Sequence, residues 1–259
     1  MPSWDPDRYA TFLDERTRPS RDLCARIGLA APGRVLDVGC GPGNSTRVLA
    51  GRWPGARLAG LDSSPEMIAR ARADGPDADW ILADAASYEP EQAWDVVFSN
   101  AALQWLPDHH RLLPRLLGWV APGGCLAVQM PARDGSPFRD ALQATARRPR
   151  WRGRLAGCTG SLTFLGAAAY YDLLAPLAGG LDLWETVYYH VLASHQGLVD
   201  WYAGTGMRPY LDRLPDPADR AAFQAEVLDG CREAYPAAGD GRVLMPFRRL
   251  FFVVTRPQG

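Results

Sequence analysis

Apolar and polar residues change their period along this chain, and the changes mark out elements. Residues 8–27 repeat apolar positions at helical spacing, with Tyr9, Phe12 and Leu13 on one face and charges elsewhere. Pro32-Gly33 ends that segment. Short apolar runs then alternate with helical stretches. Arg34–Val38, Ala56–Leu61, Trp80–Ala83, Asp95–Ser99 and Cys125–Met130 read as strands. Ser45–Arg52, Pro65–Ala73 and His110–Val120 read as helices, and Pro122-Gly123-Gly124 as a turn. Ser64 is placed to cap the second of these helices, with Pro65 at its first position and Met67, Ile68 and Ala71 on its buried side. Strands spaced by helices call for an α/β fold with a parallel, doubly wound sheet.

The second half has another texture. Asp182–Val191 and Leu250–Thr255 are β-rich, and the stretch between them reads mostly as helix and loop. No internal repeat or long linker interrupts the chain. A single domain over residues 1–259 is expected, with a cap helix in 1–31, a ligand-binding half in 34–131 and a helical insertion over 192–246.

Composition narrows the classes. Net charge is −1 among 259 residues, with 47% apolar and 22% charged, so the whole molecule carries no electrostatic footprint for nucleic acid or an anionic membrane. All 28 basic residues are Arg, which reads as a coding bias. The five cysteines are scattered and form no C-x-x-C pair, so neither a disulfide framework nor a zinc site is suggested. The first residues, Met1-Pro2-Ser3-Trp4-Asp5, lack the apolar run of a signal peptide. The uncharged tract Leu155 to Tyr171 is broken by Gly157, Gly160 and Gly166 and is short for a membrane span. A reduced, cytoplasmic setting is expected.

The most informative stretch is Val35-Leu36-Asp37-Val38-Gly39-Cys40-Gly41-Pro42-Gly43-Asn44, which follows a strand and precedes a helix. Glycines there let the backbone turn sharply and let a ligand approach without Cβ contact. Asp62 follows at the next strand end, where a carboxylate can accept ribose hydroxyls. Two details disfavour a dinucleotide. The spacing is G-x-G-x-G with Asn44 where the dinucleotide fingerprint wants its third glycine, and Pro42 removes one N–H from a turn that would cradle a pyrophosphate. S-adenosylmethionine (SAM) has no phosphate and is spared that loss.

The segment resembles motif I of the class I SAM-dependent methyltransferases, and the element order agrees. The resemblance implies a Rossmann-like fold: a mixed seven-stranded sheet with helices on both faces and a helical cap. It implies SAM as the cofactor, held by Asp37, Gly39, Gly41, Gly43 and Asn44 of the turn and by Asp62, Ser63 and Met67 after the second strand. Asp84 and Ala85 after the third strand would meet the adenine, and Asn100 and Ala101 after the fourth would line the methionine end. These strand tips share the edge where open α/β sheets bind ligands.

Some chemistries are excluded. Asn100-Ala101-Ala102-Leu103 is not the Pro-Pro-aromatic motif of nucleobase amino-methyltransferases, no Pro-Cys nucleophile occurs, and no metal-ligand cluster suggests a catechol-type mechanism. A closer likeness is carried by Trp4-Asp5-Pro6, by Glu15 to Pro19, by the run from Asn100 to His109 with its Leu-Gln-Trp-Leu-Pro-Asp-His, and by Leu126 to Pro131. Tyr188-Tyr189-His190, Ser194-His195-Gln196, Gly204 to Pro209 and Arg249-Leu250-Phe251 add to it. These segments are similar to the trans-aconitate 2-methyltransferase family. Residues 133–165, with Arg147, Arg148, Arg150, Arg152 and Arg154, depart from the pattern.

The resemblance implies O-methylation of one carboxylate of a small polycarboxylic acid to a monomethyl ester. Such an acid is ionised at neutral pH, so transfer needs orientation and no general base, and no catalytic residue is assigned. Arg matches a carboxylate bidentately. The candidate substrate residues are Tyr9, Arg16, Gln129, Tyr188, His190, His195, Arg208 and Arg249, drawn from a possible lid over the SAM site. Three alternatives stay open: another small metabolite as methyl acceptor, RNA bound through the Arg147–Arg154 run, and a SAM-binding protein without turnover.

Overall fold

The computed structural model describes residues 13–132, 135–158 and 162–258, with side chains from Thr17 onward. Helix α1 (Leu13–Arg26) leads into β1 (Arg34–Val38), α2 (Asn44–Arg52), β2 (Arg57–Asp62), α3 (Pro65–Asp74), β3 (Asp79–Leu82) and β4 (Trp94–Asn100). A 3₁₀ turn at Leu103–Trp105 precedes α4 (His109–Gly118) and β5 (Val120–Pro131). Then come α5 (Pro137–Ala146), α6 (Ala167–Leu174), β6 (Gly180–Leu192), α7 (Gln196–Ala203), the single turn α8 (Arg208–Leu211), α9 (Pro217–Cys231) and β7 (Val243–Thr255).

The strands form one seven-stranded sheet in the order β3-β2-β1-β4-β5-β7-β6. Strands β1 to β5 run parallel, and β7 is antiparallel to both β5 and β6. The chain winds outward from β1 to β3 and then returns to pair β4 on the other side of β1. That reversal opens a crevice at the carboxyl ends of β1 and β4, where such sheets take ligands.

Both faces of the sheet are covered, as central parallel strands require. Leu23 of α1, Ile27 just after it and Leu49 of α2 pack on Val96, Phe98 and Phe251. Leu113 and Leu116 of α4 and Tyr170 of α6 pack on Leu36, Val97, Leu126 and Phe252 opposite. A third cluster gathers Phe138, Trp151, Met207, Phe223 and Tyr235 around Leu192 and Met245. It forms where β6 and β7 overrun β5: Arg249 is the last β7 residue paired to β5, while pairing to β6 continues to Val243.

The sequence reading misplaces several bounds. Val120 belongs to the sheet and not to the helix before it, because Trp94 pairs with it. The expected turn at Pro122-Gly123-Gly124 lies inside β5, where Gly123 has φ +77° and the β4–β5 register shifts. Strand β7 begins at Val243, ahead of the expected Leu250. Helices α5 and α6 occupy stretches the periodicity left unassigned, although α5 has a clear start. Ser136 Oγ accepts from Arg139 N at 3.3 Å, and Pro137 sits at the first position.

The arginine run is clasped to α9. Arg148 and Arg150 pair with Glu226 at 2.9 and 3.5 Å, Arg150 and Arg154 pair with Asp219, and the indole N–H of Trp151 donates to Glu226 at 3.0 Å. Among the described residues no helix is long and apolar enough to cross a membrane.

Candidate active site

The glycine turn is built by steric necessity. Gly39, Gly41 and Gly43 have φ of +70°, +54° and +90°, in the left-handed region. A Cβ on Gly39 would lie 2.2 Å from the Cβ of Ala102, so the loops after β1 and β4 touch there. A Cβ on Gly41 would meet only open space. The indole of Trp80, from β3, lies against three glycines at once: added Cβ atoms on Gly43, Gly60 and Gly75 would stand 2.9, 2.5 and 2.5 Å from its ring.

Asp37 is wholly buried. Its Oδ2 accepts from Ser45 Oγ at 2.6 Å and Thr46 Oγ1 at 2.7 Å, which ties β1 to the first turn of α2. Burial pushes its carboxyl up to about 6 against those two hydrogen bonds. Its position makes it a support of the turn rather than the direct cofactor contact expected. Asn44 opens α2, and the N-cap is Gly43, whose lack of a side chain leaves the first N–H groups of α2 without a side-chain cap.

Asp62, at the tip of β2, faces the turn. One of its oxygens accepts from Gly41 N and the other from Ser64 N, both at 2.9 Å. Each oxygen keeps a lone pair for a ligand. Ser63 is exposed, while Met67 is buried in α3 beneath the cap, its N–H donating to Ser64 Oγ at 3.2 Å. Asp84 is exposed and accepts from Ala86 N at 2.8 Å. Ala85 is buried, and its carbonyl accepts from Arg115 at 3.0 Å. The same guanidinium also reaches the carbonyls of Ala86 and Tyr88 and thereby fixes the loop after β3.

At the tip of β4, Asn100 carries a buried side-chain carbonyl oxygen with no partner. Ala101 is a non-glycine residue at φ +55°; its N–H donates to the Gln129 carbonyl at 2.9 Å and its carbonyl accepts from Gln104 Nε2 at 2.7 Å. His109 closes this loop from below. It is buried, with Nε2 2.9 Å from the Leu103 carbonyl and Nδ1 2.7 Å from the Tyr170 hydroxyl, so Nε2 carries the proton and Nδ1 accepts. Burial lowers its pKa and favours that neutral form.

From Ala101 a cavity of about 550 Å³ runs between the end of β5, the overhang of β7 and the helices α5 and α7. Its lining includes three arginines (Arg139, Arg248 and Arg249), one acidic residue (Asp140) and rings such as Trp105, Phe164, Tyr202 and Phe247. Arg249 is 4% exposed, donates to Gln129 Oε1 at 3.2 Å and lies 4.7 Å from the Phe247 ring centre. Gln129 is fully buried behind it. Arg248 is ion-paired with Glu185.

The other sequence candidates sit elsewhere. The Tyr188 hydroxyl donates to Asp22 of α1, and the ring is buried against Phe251. His190 is buried with its ring 4.3 Å from that of Trp201, as a β6 residue on the face that packs into the third cluster. His195 is engaged at 2.7 Å by the Tyr235 carbonyl. Arg208 pairs with Asp212 one helical turn on, at 3.6 Å. None of these four borders the cavity. Tyr188 and His190 share a face of the β6–β7 ribbon with Phe247 and Arg249, but contacts with α1 and α7 take them up. Tyr9 and the side chain of Arg16 lie outside the described residues. Arg139 and Tyr202 were missed by sequence reading, although the Ser136-Pro137 start of α5 could have flagged Arg139.

The family described as a methyltransferase domain matches residues 35–124, which span β1 to the start of β5. Trans-aconitate 2-methyltransferase of Methylobacterium nodulans is 49% identical over 99% of this chain and 99% of its own. The protein of the same name from an Azoarcus species is 47% identical over 99% of this chain and its own full length. Among solved structures, the YcgJ protein of Bacillus subtilis superposes with a TM-score of 0.61 at 14% identity, covering 93% of this chain and all of that one. The motif I turn, the mixed sheet and these full-length likenesses agree: the chain belongs to the trans-aconitate 2-methyltransferase family of SAM-dependent methyltransferases.

Proposed function

We propose that this enzyme transfers a methyl group from SAM to one carboxylate of a small polycarboxylic acid such as trans-aconitate, giving a monomethyl ester. One observation supports this most directly: the cavity that begins at Ala101, on the ligand edge of the sheet, is lined by three arginines and by flat aromatic rings. Guanidinium forks suit carboxylates, and rings suit a planar conjugated acid. The names of the full-length relatives point the same way.

The residues of the crevice fit the cofactor. Gly41 turns bare backbone toward open space, Asp62 holds lone pairs beside it, and the orphaned carbonyl oxygen of Asn100 offers an acceptor at the methionine end. When bound, SAM supplies a methyl group on a sulfonium, an electrophile that needs no further activation. This chain's own residues then have to place a carboxylate oxygen in line with that methyl. Alignment is achieved by Arg249, locked from behind by Gln129, and by the rigid tip at Ala101. The half-buried rings of the wall limit the access of water to the nucleophile. No proton moves, so no general base is required.

We further propose that the whole chain acts as one domain whose 192–246 insertion shapes the acceptor side. Its cofactor and substrate are small molecules, and it works in the cytoplasm, which its five free, buried cysteines suit. Clasping of the arginine run by Glu226 and Asp219 speaks against RNA as partner. Turnover of SAM should be measured across trans-aconitate, citrate, isocitrate and an RNA control. A response to polycarboxylates alone is expected; methylation of RNA, or of no acid, would overturn the reading. Arg249→Met should raise the KM of the acid by about tenfold or more and leave that of SAM nearly unchanged. Parallel changes would make Arg249 structural.

A further inference from the structure

Two guanidinium groups reach the acceptor cavity from different elements. Arg249 comes from β7 and is pinned on the floor by Gln129 and Phe247. Arg139 comes from the first turn of α5. Its backbone N–H is held by Ser136 Oγ, its Nη2 donates to the Ala132 carbonyl at 3.3 Å, and its guanidinium lies 4.5 Å from the Phe164 ring centre. The side chain is therefore fixed by its cap, a carbonyl and an aromatic face, and it borders the same cavity as Arg249.

Tyr202 of α7 borders the same cavity. Its ring stacks on Phe138 with centres 3.8 Å apart, and its hydroxyl is 3.4 Å from Ser136 Oγ. Burial raises its pKa, while Arg139 and Arg249, which border the same cavity, act in the opposite direction. At neutral pH it stays protonated and can donate a hydrogen bond.

We propose that Arg139, with the Tyr202 hydroxyl, is a second carboxylate-binding pole facing Arg249, and that this pair makes the enzyme select acids with three carboxylates over those with two. Two carboxylates are anchored at the two poles and the third is presented at Ala101 for methylation. This rests on the function proposed above. A dicarboxylic acid occupies the Arg249 pole and the transfer position and leaves the Arg139 pole empty. Arg139 thus contributes binding energy that only the longer acid can use.

The test measures steady-state kinetics of wild type, Arg139→Met, Arg139→Lys and Tyr202→Phe with trans-aconitate and with a diacid such as fumarate. Arg139→Met should lower kcat/KM for trans-aconitate by about thirtyfold or more, mostly through KM, and change that for fumarate by less than about twofold. Arg139→Lys should recover part of the loss, since it restores charge without the bidentate fork. Tyr202→Phe should show a smaller loss of the same selectivity. The KM of SAM and the melting temperature serve as controls for a structural role. An equal loss for both acids, or a rise in the SAM KM with it, overturns the assignment of Arg139. If the wild type methylates neither acid, the functional reading fails and this inference fails with it.

Discussion

At the scale of single residues, the cofactor crevice depends on what is missing as much as on what is present. Gly39 gives way to Ala102, and three glycines make room for Trp80. Gly60 has no positive φ, so its requirement is one of space alone. Gly60→Ala should destabilise the fold by about 1–3 kcal/mol through overpacking against the indole. Combining it with Trp80→Ala should cost less than the sum of the two single changes, a coupling measurable by urea unfolding of all four proteins. Asp62→Ala should weaken SAM binding by about 1.5–3 kcal/mol, read by calorimetry, because it removes a charged acceptor and releases Gly41 N. Unaltered affinity would remove Asp62 from the site. Asp37, Asp62 and the glycines were legible in the sequence because their spacing follows a strand and leads into a helix. The burial of Asp37 was not, since a carboxylate before a glycine turn can point either to ligand or into the protein, and only the positions of Ser45 and Thr46 decide.

At the scale of elements, the helix that covers each stretch of strand decides which candidate side chains reach the acceptor cavity. Strand β7 was legible as β, but its early start and its overhang past β5 depend on partners far away in the chain. Arg249 reaches the cavity, while Tyr188 and His190, on the same face of the β6–β7 ribbon, are taken up by α1 and α7. Helix α5 went unassigned because the arginines that follow it obscure its apolar period, and with it went Arg139. Those arginines have a mechanical role. Glu226 accepts from the buried indole N–H of Trp151 and pairs with Arg148 and Arg150. Glu226→Ala should therefore lower stability by about 1–3 kcal/mol, chiefly by orphaning that N–H. Glu226→Gln, which retains an acceptor, should lose less in the same urea titration. Equal losses would assign the clasp to its charges instead.

For the whole molecule, two buried groups set opposing responses to pH. The Asp37 carboxyl is raised from 3.8 to about 6 in the folded protein, so its contribution to stability is full below the unfolded value and fades as pH rises through about 6. The shift corresponds to roughly 3 kcal/mol. His109 is lowered below its ordinary value, so its contribution is present above pH 6.5 and is lost as pH falls through the folded value. Asp37→Asn should flatten the decline of stability between pH 4 and 6, and His109→Gln should remove a loss on acidification, both followed by urea midpoints across pH. If either variant tracks the wild-type curve, that group does not titrate as its surroundings dictate. The order of alternating elements was legible from hydrophobic period, and it suffices for the crevice because the reversal beside β1 follows from a doubly wound sheet. The placement of β7 between β5 and β6 was not, because sequence pattern carries no information on which antiparallel neighbours a late strand will choose.

Ala101 holds a left-handed backbone that an L-residue adopts at a cost on the order of 1 kcal/mol. A glycine there would relieve that cost but give the unfolded chain more freedom to lose, so Ala101→Gly should leave the melting temperature nearly unchanged. It would loosen the tip of β4, so any fall in turnover it causes reports the loss of a fixed backbone and not of stability.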